Sequence, residues 1–237
     1  MRISTLTLCM IATGLGLAGC GVTNQLHSEL NYGGVSVETV HLEPSGVGVL
    51  TPSAPTGNES DKQALGDALG LALEAAIPNG NVMPMPDMLS AINRSGLARL
   101  YVNMLDEYAD TGILERDALQ KIGEAGGVRY LAKFNLSSFE QSSDKRMSIA
   151  GIRMFDTWRA QIRVHLEIWD SMTGEIAWQG NEELVFAREG VKERPVSFSQ
   201  VARLAAEQLV ERVGETGKTT FDANAAPALA STGLAEL

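Results

Sequence analysis

The stretch Trp158-Arg159-Ala160-Gln161-Ile162-Arg163-Val164-His165-Leu166-Glu167-Ile168-Trp169-Asp170-Ser171-Met172-Thr173-Gly174-Glu175-Ile176-Ala177-Trp178 decides the fold class. Trp158, Ala160, Ile162, Val164, Leu166 and Ile168 fall on one face of an extended chain. Arg159, Gln161, Arg163, His165 and Glu167 fall on the other. Strict alternation of this kind marks a strand with one buried and one solvated face. Asp170 to Gly174 supplies a hairpin loop, with Gly174 suited to the left-handed position that closes a type I turn with a bulge. Ile176 to Ala187 returns antiparallel.

Upstream, Tyr130 to Ser137 alternates in the same way, with apolar residues at even positions, and predicts another strand. The interval Ser142 to Asp156 reads as the connection between the two. Earlier in the chain the period changes to that of helices. From Asp61, with Ser60 or Asp61 as cap, Ala64, Leu65, Ala68, Leu69, Leu71, Ala72 and Ala76 recur at helical spacing until Pro78-Asn79-Gly80. A second helix is expected from Met88 to about Tyr108, kinked or split at Gly96, and a third from Glu115 to Ala125. Val47 to Leu50 and Val82 to Pro86 read as short strands, and Val35 to Leu42 as an edge strand. A Ser197-x-x-Gln200 capping box opens a last helix carrying Val201, Leu204, Ala205, Leu209 and Val213. The expected fold class is α+β: a single domain, a mixed β-sheet with an antiparallel hairpin and helices packed on it.

The 237 residues are 44% hydrophobic, enough for one globular core, and the formal charge of -10 lacks the basic face that nucleic acid requires. With three His and two Cys, little material remains for a metal centre. No resident cofactor is expected.

The first 20 residues, MRISTLTLCMIATGLGLAGC, place one basic residue, Arg2, before an apolar run that ends in small residues. This is the layout of an export signal, and its run is shorter than the about 20 apolar residues a spanning helix needs. Leu17-Ala18-Gly19-Cys20 resembles the lipobox of bacterial lipoproteins. The resemblance implies that residues 1–19 are removed and that the Cys20 thiol carries a covalent lipid, which anchors the chain in a membrane. Gly21, rather than Asp, follows Cys20. Under the enteric sorting rule this implies the outer membrane, facing the periplasm. Residues 20–45 then form the lipidated cysteine and tether, 46–215 a periplasmic domain, and 216–237 an aperiodic tail expected to be disordered.

Val47 to Gly57, Gly126-Gly127-Val128-Arg129-Tyr130-Leu131 and Ile162 to Trp178 together resemble a group of bacterial envelope lipoproteins. That group shares the fold of the curli secretion protein CsgG, the amino-terminal domain of TolB and the penicillin-binding-protein activator LpoB. The resemblance spans about residues 46 to 214 and implies the TolB-like α+β fold. Curli-type rings contribute long membrane strands of about 9 to 11 residues each. The interval Ser142 to Asp156 offers no such pair, so a self-contained pore is not expected.

No sequence pattern names a catalyst. Gly214-Glu215-Thr216-Gly217-Lys218-Thr219 has two residues between its glycines where a phosphate loop needs four. Ser142-Ser143-Asp144-Lys145 has Ser-x-x-Lys spacing in a polar, loop-like setting. His27, His41 and His165 are scattered, and Asp106, Glu107 and Asp110 read as an acidic helix face. The feature singled out for binding is the row Arg159, Arg163, His165 and Glu167 on the polar side of the best strand, where cross-strand pairing with Glu182 or Glu183 is the plainer account. Trp158 and Trp178 are expected in packing. Trp169 falls on the polar side unless the turn shifts the register, and exposed there it would serve as an interface anchor. The expected activity is non-enzymatic: assembly, secretion or cell-envelope synthesis through contacts with an envelope protein, with a homo-oligomer as one form. The alternative is a lipid-anchored enzyme or binding module acting on peptidoglycan or polysaccharide.

Overall fold

A computed structural model describes residues 24–32, 42–55, 58–149, 152–190 and 195–213. Cys20 with its leader, the expected edge strand before Leu42, His41 and the tail from Gly214 lie outside the described residues. Six strands form one mixed sheet. In chain order the elements are β1 (Asn24–Tyr32), α1 (Leu42–Ser45), β2 (Val47–Val49), α2 (Glu59–Ala76), β3 (Val82–Met83) and α3 (Met85–Arg94). They continue with α4 (Ala98–Thr111), α5 (Arg116–Gly126), β4 (Tyr130–Ile149), β5 (Ile152–Asp170), β6 (Glu175–Gly190) and α6 (Phe198–Val213). The order across the sheet is β1-β6-β5-β4-β2-β3. β1, β6, β5 and β4 run antiparallel, while β4, β2 and β3 run parallel. The fold is a single α+β domain, as its alternating strands require.

Ala160, Ile162, Val164, Leu166 and Ile168 are buried beneath α2 and α6, together with Phe134, Leu136, Leu184 and Phe186. Small residues let the helices approach: Ala68 and Ala72 on α2, Ala202, Ala205 and Ala206 on α6, all within this core. A second cluster covers one end of the opposite face, where Met88, Ile92, Tyr101, Met104, Leu119 and Ile122 pack on Leu131 and Trp169. Over β5, β6 and β1 the rest of that face carries no helix among the described residues.

Local chemistry sets the helix limits. α2 starts two residues before Asp61 because Asn58, not Ser60, is the cap, its side chain accepting from the Ser60 amide. The expected single helix 88–108 divides. Leu97 N–H donates to Ile92 O and Gly96 N–H to Asn93 O, with Gly96 at φ +71, the paired 6→1 and 5→2 bonds of a Schellman terminus. α5 ends the same way through Val128 to Gly123 and Gly127 to Glu124.

Two expectations need correction. Residues 24–32 are a strand, not tether: Asn24 pairs with Arg188 and Tyr32 with Gly180. Their side chains lack period two because an edge strand is held by its ladder and not by burial on one face. The interval 142–156 is likewise not a connection. β4 and β5 pair from Tyr130 opposite Asp170 to Ile149 opposite Ile152, and so form a hairpin arm past the helical layer. Backbone pairing continued where the apolar alternation stopped. Ser142 and Lys145 therefore lie on a strand and not on a helix. The one-turn spacing that a nucleophile and its lysine require is absent.

Candidate functional site

The uncovered sheet face carries the residues singled out for binding. Register places Arg163 opposite Glu183, and the guanidinium forks onto that carboxylate, Nε to Oε2 at 2.8 Å and Nη2 to Oε1 at 3.1 Å. Gln161 Nε2 also donates to Glu183 Oε1. The hydrogen bond from Arg163 holds the Glu183 carboxyl below its ordinary range and raises the guanidinium in turn. Glu183 is thus the cross-strand partner that the alternation allowed. Arg159 is exposed four rungs away on the same face. A depression of about 190 Å³ lies beside the fork, with Glu29, Asn181 and Ser137 on its walls. It is small for a ligand site, since such pockets run from about 300 Å³ upward.

At the boundary of this face with α4 sits a buried polar cluster. Glu167, 8% exposed, accepts from Trp169 Nε1 (3.0 Å) and Tyr108 Oη (2.9 Å), and its other oxygen meets His165 Nε2 at 3.0 Å. Asn135 Nδ2 donates to the Tyr108 hydroxyl at 2.7 Å. Directly across the ladder from Glu167 stands Lys133, 2% exposed, which donates to the Thr51 carbonyl and lies 5.3 Å above the Tyr108 ring. Tyr101 closes the end by accepting from Thr51 N and donating to Thr51 Oγ1.

Burial opposes charge throughout this cluster. It pushes the Lys133 ammonium down to about 8, with Glu167 partly offsetting it. Burial also works against the Glu167 carboxylate, but donors from His165, Trp169 and Tyr108 outweigh it and leave the group below its ordinary range. The Glu167 bond raises His165 in return. Burial, and then the adjacent Glu167 charge, raise the Tyr108 phenol.

A lysine near neutrality beside a carboxylate and a phenol has the chemistry of a nucleophile with its base. Access decides against that role. Lys133 is sealed, its ammonium donates to the Thr51 carbonyl, and neither the depression beside Arg163 nor the open groove between α2 and α6 is lined by it. The cluster bolts α4 and the loop after β2 onto the sheet.

No family model matches the chain, and no curated protein matches it. Among solved structures it is similar to the PelC dodecamer from Paraburkholderia phytofirmans, at 11% identity and a TM-score of 0.43, over 80% of this chain and 98% of that one. It is also similar to lipoprotein GNA1162 from Neisseria meningitidis, at 13% identity and a TM-score of 0.36, over 73% of this chain and 100% of that one.

Trp169 corrects the expectation of an exposed anchor. It does lie on the polar side, but a register shift between Ile168 and Trp169 sets it opposite Ile176, and the α3–α5 layer leaves it 5% exposed. Of the five residues singled out, only Arg159 and Arg163 remain outward; His165 is half-buried on Glu167, and Glu167, expected on the solvated face, is buried because α4 covers that end of it. Asp106, Glu107 and Asp110 are exposed or nearly so on α4, as read. Among the described residues no group of three His, Cys, Asp or Glu side chains is placed to hold a metal ion, and no helix is long and apolar enough to cross a membrane.

Sequence reasoning missed two carboxylate sites. Asp170, in the hairpin turn, accepts a fork from Arg129 and the Met172 amide, which fixes the turn against the start of β4. Glu182, 1% exposed, faces α6. Ser28 Oγ donates to it at 2.6 Å and also contacts Gln208, and burial pushes this carboxyl up to about 7. The only signal in the sequence was an acid at an apolar position of the β6 alternation.

Proposed function

We propose that this chain is an envelope lipoprotein, held by an acylated Cys20 in the outer membrane and facing the periplasm, that works through protein contacts in assembly, secretion or envelope synthesis. The observation that carries the reading is Leu17-Ala18-Gly19-Cys20 at the end of an apolar run of 14 residues. Only three residues then separate Cys20 from β1. Two acyl chains give stable anchoring where one gives marginal binding.

The contact role is supported by what the described surface offers. It has a broad polar sheet face with Arg159 and Arg163 outward, and a sealed interior cluster in place of an open reactive one. Self-association is supported by unpaired backbone. The outer edge of β1 and the β4 edge beyond Asn135 have no partner strand among the described residues, and such edges are templates for another chain.

The test is metabolic labelling with a fatty acid in a Gram-negative host, comparing the wild type with Cys20→Ala, followed by membrane fractionation. Label on the wild type alone, in the outer-membrane fraction, is the expected result. Label retained by Cys20→Ala refutes the anchor.

A further inference from the structure

We propose that the tip of the β4–β5 arm contacts the headgroup layer of the same bilayer that holds the Cys20 lipid. The inference rests on the anchor proposed above and adds a second, non-covalent membrane contact to it.

Register supplies the argument. Asn24, the first residue of β1, pairs with Arg188; Arg188 pairs with Trp158, and Trp158 with Ser143. The start of β1 is therefore level with the 143/158 rung and at the same end of the sheet as the arm. Beyond that rung β4 and β5 continue to Ile149 opposite Ile152. Six residues of strand extend about 20 Å. Cys20 stands four residues before Asn24, and four residues reach at most about 14 Å. A membrane that holds Cys20 must pass within that distance of the start of β1. The arm, two to three strands aside, extends farther than the leash can.

The sequence of the arm suits that surface. The last four rungs of each strand read Arg146-Met147-Ser148-Ile149 and Ile152-Arg153-Met154-Phe155: five apolar residues, two arginines and no acid. The two rungs before them, Asp144 opposite Thr157 and Lys145 opposite Asp156, carry two acids and one base, so the positive charge is confined to the tip. The chain as a whole carries -10 and is repelled by anionic lipid, so a basic, apolar tip at the anchored end favours one orientation of the domain. Basic residues with apolar neighbours settle at the boundary between headgroups and acyl chains. Six residues per strand past the domain fall short of the about 9 to 11 a spanning strand needs. The contact is thus interfacial and leaves the bilayer uncrossed.

The test uses the acylated chain in vesicles of phosphatidylethanolamine and phosphatidylglycerol, with an environment-sensitive fluorophore on Ile149→Cys. The control carries it on Met172→Cys in the β5–β6 turn, at the opposite end of the sheet. Mass spectrometry of the same samples reports acylation. The expected result is a blue shift and quenching by lipid-borne quenchers at position 149, neither at 172, and loss of both on adding Arg146→Glu with Arg153→Glu. An acylated protein whose position 149 stays in water overturns the inference and leaves the anchor standing. An unacylated protein overturns the anchor, and the inference with it. A blue shift at 149 without vesicles assigns the tip to a second copy and also overturns the membrane contact.

Discussion

Glu167 holds together the most side chains of any single carboxylate described above, and its loss would leave Trp169 Nε1, the Tyr108 hydroxyl and His165 without their acceptor. Breaking a buried ionic network by removing one member costs about 3–5 kcal/mol. Glu167→Ala is expected to destabilise the domain by about 3 kcal/mol in urea unfolding, whereas Lys133→Met, which removes the cost of burying an ammonium, is expected to be near neutral. The pH dependence follows from the same groups. His165 is raised above its ordinary 6.5, so its contribution is complete below that value and is lost as pH rises through its folded pKa. Glu182 is raised from 4.5 to about 7. In that window the folded state binds more protons than the unfolded one, so stability again falls with rising pH. Lys133 is lowered from 10.5 to about 8, so between those values stability rises with pH. The expected profile declines from pH 5 to beyond 7, as chemical denaturation at a series of pH values would record. Glu182→Gln should flatten the decline; an unchanged slope would remove Glu182 as its source.

At the scale of elements, two glycines test the helix junctions in different ways. Gly96 has φ +71 and nothing within 4 Å of an added Cβ, so Gly96→Ala meets only conformational strain, about 1 kcal/mol. At Gly123 an added Cβ would lie 2.7 Å from Ser171 Oγ and 2.8 Å from Val128 O. Gly123→Ala must push α5 off the β5–β6 turn and is expected to cost more, about 2–3 kcal/mol. Equal losses in thermal denaturation would contradict this account. These elements also show what was legible in the sequence. β5 was read from its alternation because α2 and α6 bury Ala160 through Ile168 while Arg159, Gln161 and Arg163 stay wet. β1 and the arm were missed because Asn24-Gln25-Leu26-His27 and Ser142-Ser143-Asp144-Lys145 lack apolar alternation, and the backbone ladder that pairs them leaves no pattern of side chains in the sequence. Of the candidate site, the Arg163–Glu183 fork was legible from cross-strand logic. Lys133 was not, since its burial depends on Thr51 and Tyr108, which only the folded chain brings near.

At the scale of the whole molecule, the polar face and the end of the sheet where β1 starts point in different directions, and each can be altered without the other. Arg159→Ala with Arg163→Ala is expected to leave the urea midpoint nearly unchanged, because an exposed ion pair such as Arg163–Glu183 contributes at most about 1 kcal/mol, while reducing in-cell cross-linking to envelope partners. A shifted midpoint would place the fork in the stabilising network and remove it as a docking surface. Light scattering on the chain from residue 21 over a concentration series measures self-association directly. A strictly monomeric mass at every concentration would withdraw the edge-pairing proposal.

The position of β1 also fixes an order of events in time. Ser28 and Glu182 are 154 residues apart in sequence, so the strand made first joins the sheet only after β6 has been delivered. Contacts of such separation are the slow ones in folding. The amino-terminal strand is therefore expected to be the last to dock, and hydrogen exchange during refolding should protect its amides after those of β5. On the export proposed above, enzymes that act at Cys20 would meet the chain before β1 has docked, while most of the sheet is still being delivered.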